Sequence, residues 1–209
     1  MYRGIRAKLL LPMMFCLAAW LPTAPAWAGP DPESEARRIE ANLLSRRLDL
    51  GGVRTWSQQQ HKWLELASPH AALIVLHLWA VECKPCVAEL PVLEGLVEGW
   101  RSHADAQFLL VSETESEDQL LEFWQHHRAA GSSALPLHQV GDERLRTALE
   151  TGRQPLTLIL DQSLVVRQAF VGSIAPRTTE LTAGMLRLLE TVHHSSAAPV
   201  RHALRKRAL

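Results

Sequence analysis

The sequence is short of several things, and each shortage excludes a class. Its 22 basic side chains are matched by 22 acidic ones, so no net charge draws the whole chain to nucleic acid. No internal repeat recurs and no long apolar run follows the N-terminus, which excludes collagen-like, coiled-coil and polytopic membrane classes. Only three of the 209 residues are cysteines, too few for a disulfide scaffold. What is present is ordinary for a globular protein: 47% hydrophobic and 21% charged residues, enough apolar side chain to build a core.

The first 28 residues hold no acid but carry Arg3, Arg6 and Lys8, followed by the apolar run Leu9 to Leu21 and by Ala26-Trp27-Ala28. This succession reads as a secretory signal peptide cut after Ala28, so the protein is expected to be exported. The run has 13 residues and contains Pro12, against the roughly 20 that a spanning helix needs, so no stable membrane span is expected after cleavage. Met13-Met14-Phe15 lacks the small residue expected before a lipid-modified cysteine, which leaves Cys16 as part of the signal. The remaining 181 residues fit one domain with a short extension. Their only cysteines are Cys83 and Cys86. A cross-link between these closes almost no loop and stabilises little, so chemistry explains the pair better than stapling does.

Asp31-Pro32 is a helix start, with Ile39, Leu43, Leu44 and Leu48 at helical spacing and Gly51-Gly52 as the stop. Residues 57–67 read as a second short helix carrying Trp63, Leu64 and Leu66. Ala71 to Trp79 is nearly all apolar and of strand length, so it reads as a central strand buried on both faces. Helix 83–103, strand 107–112, helix 115–130, strand 137–140 and helix 142–150 follow. Strands 156–160 and 165–171 are joined at Asp161-Gln162-Ser163, and helix 177–190 comes last. Strands alternating with helices predict an α/β fold, a central mixed sheet with helices on both faces and an antiparallel hairpin at its edge. The expected division is a signal at 1–28, an N-terminal helical extension at 29–69, the α/β domain at 70–192 and a basic, flexible tail at 193–209. That tail holds Arg201, Arg205, Lys206 and Arg207 and no acid.

Cys83-Lys84-Pro85-Cys86 follows the buried strand and opens a helix. Thiol–disulfide exchange needs a thiolate, and a helix N-terminus with free N–H groups favours one. Lys84 adds positive charge beside Cys83, and Glu82 opposes it. With two residues between them, the inner cysteine can reach back to displace a substrate from a mixed disulfide. Cys83, at the exposed helix start, reads as the nucleophile and Cys86, one turn inside, as the resolving thiol. Zinc needs four ligands and there is no second C-x-x-C, while a c-type haem site needs histidine where Val87 stands. The adjacent pairs His126-His127 and His193-His194 point their side chains apart on a helix and make poor metal clamps. Trp56, Trp63, Trp100 and Trp124 read as packing residues.

Trp79-Ala80-Val81-Glu82-Cys83-Lys84-Pro85-Cys86 resembles the active-site segment W-A-x-x-C-x-P-C of thioredoxin-fold proteins. Glu89-Leu90-Pro91 resembles the E-[FLM]-P of the TlpA/ResA-like branch, the exported bacterial thiol–disulfide oxidoreductases. Pro91 matches the proline within that family's active-site helix. Gln154-Pro155-Leu156-Thr157 is similar to its cis-proline loop, and Phe170-Val171-Gly172 to the end of its last strand. The 72 residues from Cys83 to Pro155 leave room for the helix and strand that this branch inserts. The resemblance covers about residues 70–192 and implies a thioredoxin-like fold, a cis bond before Pro155, and a substrate strand laid against the backbone of Gln154. It implies disulfide exchange with protein thiols, leaning towards a reductase that serves cytochrome c maturation or envelope thiol homeostasis. A membrane thiol donor would supply the electrons, and no cofactor beyond the Cys83–Cys86 disulfide is implied.

Two features depart from the family. His77 stands where thioredoxins proper carry a buried acid. It is read either as a proton relay to Cys86 or as a core histidine with a hydrogen-bond partner. The aromatic residue common before the first cysteine is replaced by Val81-Glu82, which makes the rim more acidic. Glu89 matches the acid that the branch keeps near its cysteines, read as a tuning group or as a solvated helix face. The competing classes are a non-catalytic adaptor using the Pro155 groove and a copper chaperone holding the metal with Cys83, Cys86 and one histidine. A peroxidase is the weakest reading, since no separate peroxidatic cysteine exists.

Overall fold

The computed structural model describes residues 31–57, 60–66, 71–114, 116–129, 137–140, 144–149 and 152–205, and the expected signal peptide lies outside them. The centre of the sheet is β3 (Leu73–Trp79), every residue of which is buried. It is flanked by β4 (Ala106–Ser112), which runs parallel to it, and β6 (Leu156–Asp161), which runs antiparallel. A strand covered on both faces and paired on both edges is apolar at nearly every position, here all but His77, which is why residues 73–79 show no alternation. Its odd positions Leu73, Val75 and Trp79 belong to one core and its even positions Ile74, Leu76 and Leu78 to the other.

The first core is closed by α2 (Lys84–Trp100), α3 (Glu117–Ala129) and α5 (Thr178–Arg205), through Leu90, Leu93, Leu120, Trp124, Leu181 and Met185. The second is closed by α1 (Pro32–Leu43) and α4 (Arg144–Leu149), through Leu43, Leu145 and Leu149. Helices therefore cover both faces of a mixed sheet, as the strand–helix alternation predicts. The strand order is β2-β1-β5-β4-β3-β6-β7. Here β1 is Val53–Ser57, β2 Lys62–Glu65, β5 His138–Val140 and β7 Val166–Val171. Strands β6 and β7 form the expected hairpin, and Asp161 organises its turn by accepting bonds from the N–H groups of Ser163 (2.8 Å) and Val165 (3.1 Å).

Three expectations are corrected. The expected helix at 57–67 is not seen at the described residues 57 and 60–66: β1 and β2 form an antiparallel pair, with Trp56 opposite Trp63 and their rings edge to face at 5.5 Å. The pairing of β1 with β5 extends the sheet, so a tertiary partner overrode the local helical spacing. The first helix ends at Leu43, well before Gly51-Gly52. The chain then runs along β7, with Ser45 N–H donating to Val166 C=O (2.9 Å) and Val166 N–H to Arg46 C=O (2.8 Å). The third correction is at the C-terminus, where α5 continues to Arg205 instead of ending at residue 190. Its His, Ser and Ala residues offer no strong stop before Pro199. Among the described residues no helix is long and apolar enough to cross a membrane.

Candidate active site

Cys83 is the N-cap of α2, with extended backbone (φ −83°, ψ 94°), and Pro85 sits in the first turn where its missing N–H costs nothing. Cys83 and Cys86 are joined as a disulfide with Cα atoms 5.2 Å apart, and the Cys83 Sγ accepts the Cys86 N–H at 3.2 Å. The helix therefore begins by directing its free N–H groups at a sulfur. Cys86 is fully buried, Cys83 is partly exposed and Lys84 is exposed. The outer sulfur can meet a partner and the inner one cannot. Trp79, buried at the end of β3, tilts against Phe123 and Trp124 at ring distances of 5.6 and 5.8 Å and so fixes the strand end from which the cysteine loop departs.

The Gln154–Pro155 bond is cis, as expected, and Pro155 is buried at the entry to β6. Its carbonyl accepts the N–H of Gly172 (2.9 Å), whose φ of +88° is open to glycine at little cost. Gln154 and Cys83 line one cleft of about 660 Å³ with Ala80, Glu82, Glu113 and Gln119. The rim is polar, in keeping with the loss of the aromatic residue before Cys83.

Sequence reading missed the supports of this cleft. Thr114 accepts the Val81 N–H (2.9 Å) and contacts Glu82 (3.4 Å), and Glu113 N–H donates to the Trp79 carbonyl (2.8 Å), so the end of β4 holds the loop before Cys83. The Gln154 amide donates to Glu113, and Arg146 pairs with the same carboxylate at 3.4 Å. Glu40 of α1 accepts the Val171 N–H (2.8 Å) and pairs with Arg177 (2.6 Å), while Glu35 pairs with Arg153 (2.7 Å). The N-terminal helix is thereby tied to both segments that flank the cis-proline. These contacts join residues up to 137 positions apart, and no local pattern announces them.

His77 and Glu89 come together. His77 is fully buried, and its Nδ1 lies 2.9 Å from Thr157 Oγ1, its register partner on β6. Glu89 is 1% exposed, so the solvated-face reading of it is wrong: it is on the buried stripe of α2 with Cys86, Leu90 and Leu93. One carboxylate oxygen accepts from Ser173 Oγ–H (2.7 Å) and Ile174 N–H (2.8 Å), and the other lies 3.4 Å from His77 Nε2. Burial lowers the His77 pKa to about 3, so the ring is neutral. Burial also raises the Glu89 pKa, against the hydrogen bonds from Ser173 and Ile174 that favour its charge.

No family model matches the chain, and no curated protein does. Solved structures do. A candidate protein disulfide isomerase from Bacteroides thetaiotaomicron superposes with a TM-score of 0.55 at 17% identity, over 72% of this chain and 94% of that one. A candidate thiol:disulfide interchange protein DsbE from Chlorobium tepidum gives 0.53 at 16% identity, over 68% and 99%. A thioredoxin-like protein of uncharacterised role from Porphyromonas gingivalis gives 0.51 at 15% identity, over 70% and 94%. These likenesses, together with the sheet order and the cis-proline that follows cleft-lining Gln154, give the chain a thioredoxin-like fold.

Proposed function

We propose that the chain is an exported thiol–disulfide oxidoreductase that exchanges disulfides with protein substrates through Cys83 and Cys86 and works as a reductase in the bacterial envelope. The observation that carries this reading is the asymmetry of the pair: a part-exposed sulfur capping a helix, bonded to a buried one, in a cleft shared with a cis-proline loop. The Cys83 thiolate attacks a substrate disulfide, whose S–S bond breaks to release one substrate thiolate, and a mixed disulfide forms on Cys83. Cys86 gives its proton to the Glu89 carboxylate, three residues along the same buried stripe, and its thiolate attacks Cys83 Sγ. The second substrate thiolate leaves and the Cys83–Cys86 disulfide closes. Two electrons pass to the substrate. Gln154 and Pro155 present backbone to an extended substrate strand. Lys84 and the N-terminus of α2 favour the Cys83 thiolate.

A membrane thiol donor returns the protein to its reduced state, because an oxidising compartment supplies no electrons. Keeping haem-attachment cysteines of c-type cytochromes reduced is the role in best accord with this direction. The adaptor and copper-chaperone readings have no observation of their own in their favour.

The test is reduction of insulin by dithiothreitol with the chain from Gly29 onwards. Wild type accelerates it, Cys83→Ser abolishes the acceleration, and Cys86→Ser accumulates a mixed disulfide visible by mass. Unchanged rates in Cys83→Ser would reject the function. The reduction potential of the pair then decides direction: a value near that of thioredoxin supports a reductase and one near that of DsbA overturns it.

A further inference from the structure

Disulfide exchange by itself leaves His77 unexplained. The ring is fully buried in the face of the sheet that α2 covers, and its Nε2 faces Glu89 Oε1 across 3.4 Å. Neither of these two buried atoms has a hydrogen-bond partner. The rest of each side chain is anchored, His77 by Thr157 and Glu89 by Ser173 and Ile174. The gap is a few tenths of an ångström beyond a good hydrogen bond, the length that catalytic contacts have before a reaction tightens them.

Other charges do not account for the pair. Arg177, in the segment that follows β7, pairs with Glu40 and Glu180 and lies over the Phe170 ring. Asp161, at the far end of β6, bonds Arg167, and His138 is on β5, two strands from β3. On α2 the titratable neighbour on the buried stripe is Cys86, and α5 and β4 bring Leu181, Met185 and Leu110 to this core. An ionised Glu89 would therefore stand beside a neutral imidazole with no compensating cation among the described residues, which is costly in a buried site. A protonated Glu89 suits the geometry if one tautomer is present: Nδ1–H donates to Thr157 Oγ1, which leaves the Nε2 lone pair facing the carboxyl.

We infer that His77 is a positioning residue of the exchange: it offers Nε2 as an acceptor to the Glu89 carboxyl, so that the disulfide form stores one proton on Glu89, adjacent to Cys86. This rests on the oxidoreductase reading. When a donor thiolate attacks Cys83 Sγ, the S–S bond breaks, Cys86 leaves as a thiolate, and the stored proton passes from Glu89 to it. In the opposite direction the same lone pair disfavours the carboxylate and makes Glu89 a better base for the Cys86 thiol. His77 touches neither sulfur in this scheme and acts only through Glu89.

The test uses the oxidised protein, in which no thiol titrates. Nitrogen-15 NMR of wild type is expected to show His77 as the Nδ1–H tautomer. The Nε2–H tautomer overturns the inference. Carbon-13 titration of Glu89 is expected to show proton binding about tenfold weaker in His77→Leu, a midpoint about one pH unit lower. An unmoved midpoint also overturns it, and should His77→Leu fail to fold, the wild-type tautomer decides. The parent reading is separated by kinetics. Reduced protein mixed with 4,4′-dithiodipyridine releases one thiopyridone when Cys83 attacks and a second when Cys86 resolves. Glu89→Gln is expected to slow only the second. If it slows neither, proton transfer through Glu89 falls. If it slows the second while the His77 tautomer is Nε2–H, only the inference about His77 falls.

Discussion

Glu89→Gln is expected to make the oxidised protein acid-sensitive, and the size of the effect follows from His77. Its folded pKa is depressed from 6.5 to about 3 by complete burial. A histidine whose folded pKa is depressed contributes stability above its unfolded pKa, and that contribution is lost as pH falls from 6.5 towards 3, because the unfolded chain takes up a proton that the folded chain refuses. Each pH unit is worth about 1.4 kcal/mol, so the full window of about 3.5 units amounts to about 5 kcal/mol, comparable with the whole stability of a small domain. In wild type this loss is offset over the pH range in which Glu89 holds a proton in the folded chain but not in the unfolded one. The Glu89 pKa is raised, so the folded carboxyl keeps a proton that the unfolded one has released. Where both conditions hold, folded and unfolded chains bind equal numbers of protons at these two sites and stability is flat. The carboxamide of Glu89→Gln mimics the protonated acid, accepting from Ser173 and Ile174 while removing the compensating titration. Urea denaturation at pH steps between 7 and 4 measures the result. Glu89→Gln should lose about 1.4 kcal/mol per pH unit relative to Glu89→Gln/His77→Gln. Parallel curves for the two variants would refute the claim that His77 is held neutral by burial.

Three further outcomes are expected. Glu40→Ala leaves the Val171 N–H and Arg177 without their carboxylate, so it should cost about 1–3 kcal/mol by thermal denaturation and raise hydrogen exchange at the Val171 amide. Gly172→Ala puts a Cβ on a residue at φ +88°, where it meets no neighbouring atom, so its cost is backbone strain. It should cost about 1–3 kcal/mol and slow insulin reduction without changing the reduction potential of the cysteines. Leu90→Ala, at a fully buried position on α2 between the cysteines and the sheet, should cost about 2–5 kcal/mol in urea denaturation.

Much of the chemistry was legible in the sequence because it is local. The C-x-x-C spacing, the proline in the first helical turn and the apolar run before it act over a few residues, so Cys83, Cys86 and the strand that carries them can be placed by reading alone. The cis bond at Pro155 was legible through the resemblance of residues 154–157 to a cis-proline loop, proline being the residue type that takes a cis bond at modest cost. The strand–helix alternation likewise carried the layering, with the buried strand at 73–79 as its anchor. Residues 60–66 were misread because their apolar spacing suits a helix as well as a strand, and the choice was made by pairing with β1, which is itself held in the sheet by β5, more than seventy residues away. The end of α1 and the length of α5 were misjudged for a related reason: strand contacts ended one helix before its local stop signal, and the other lacks a strong stop after residue 190.

The sequence by itself determined where the two sulfurs of the proposed exchange stand, one outside and one inside a helix turn, set by their spacing and by the strand before them. Tertiary structure alone decided what surrounds them. Glu89 reads as either a tuning group or a solvated acid until α2 is laid on the sheet, and His77 as either a relay or a core histidine with an unnamed partner until β3, α2 and β6 bring Glu89 and Thr157 to its two nitrogens. Burial and proton affinity depend on the dielectric made by distant segments, and that environment exists only once the chain has closed around them.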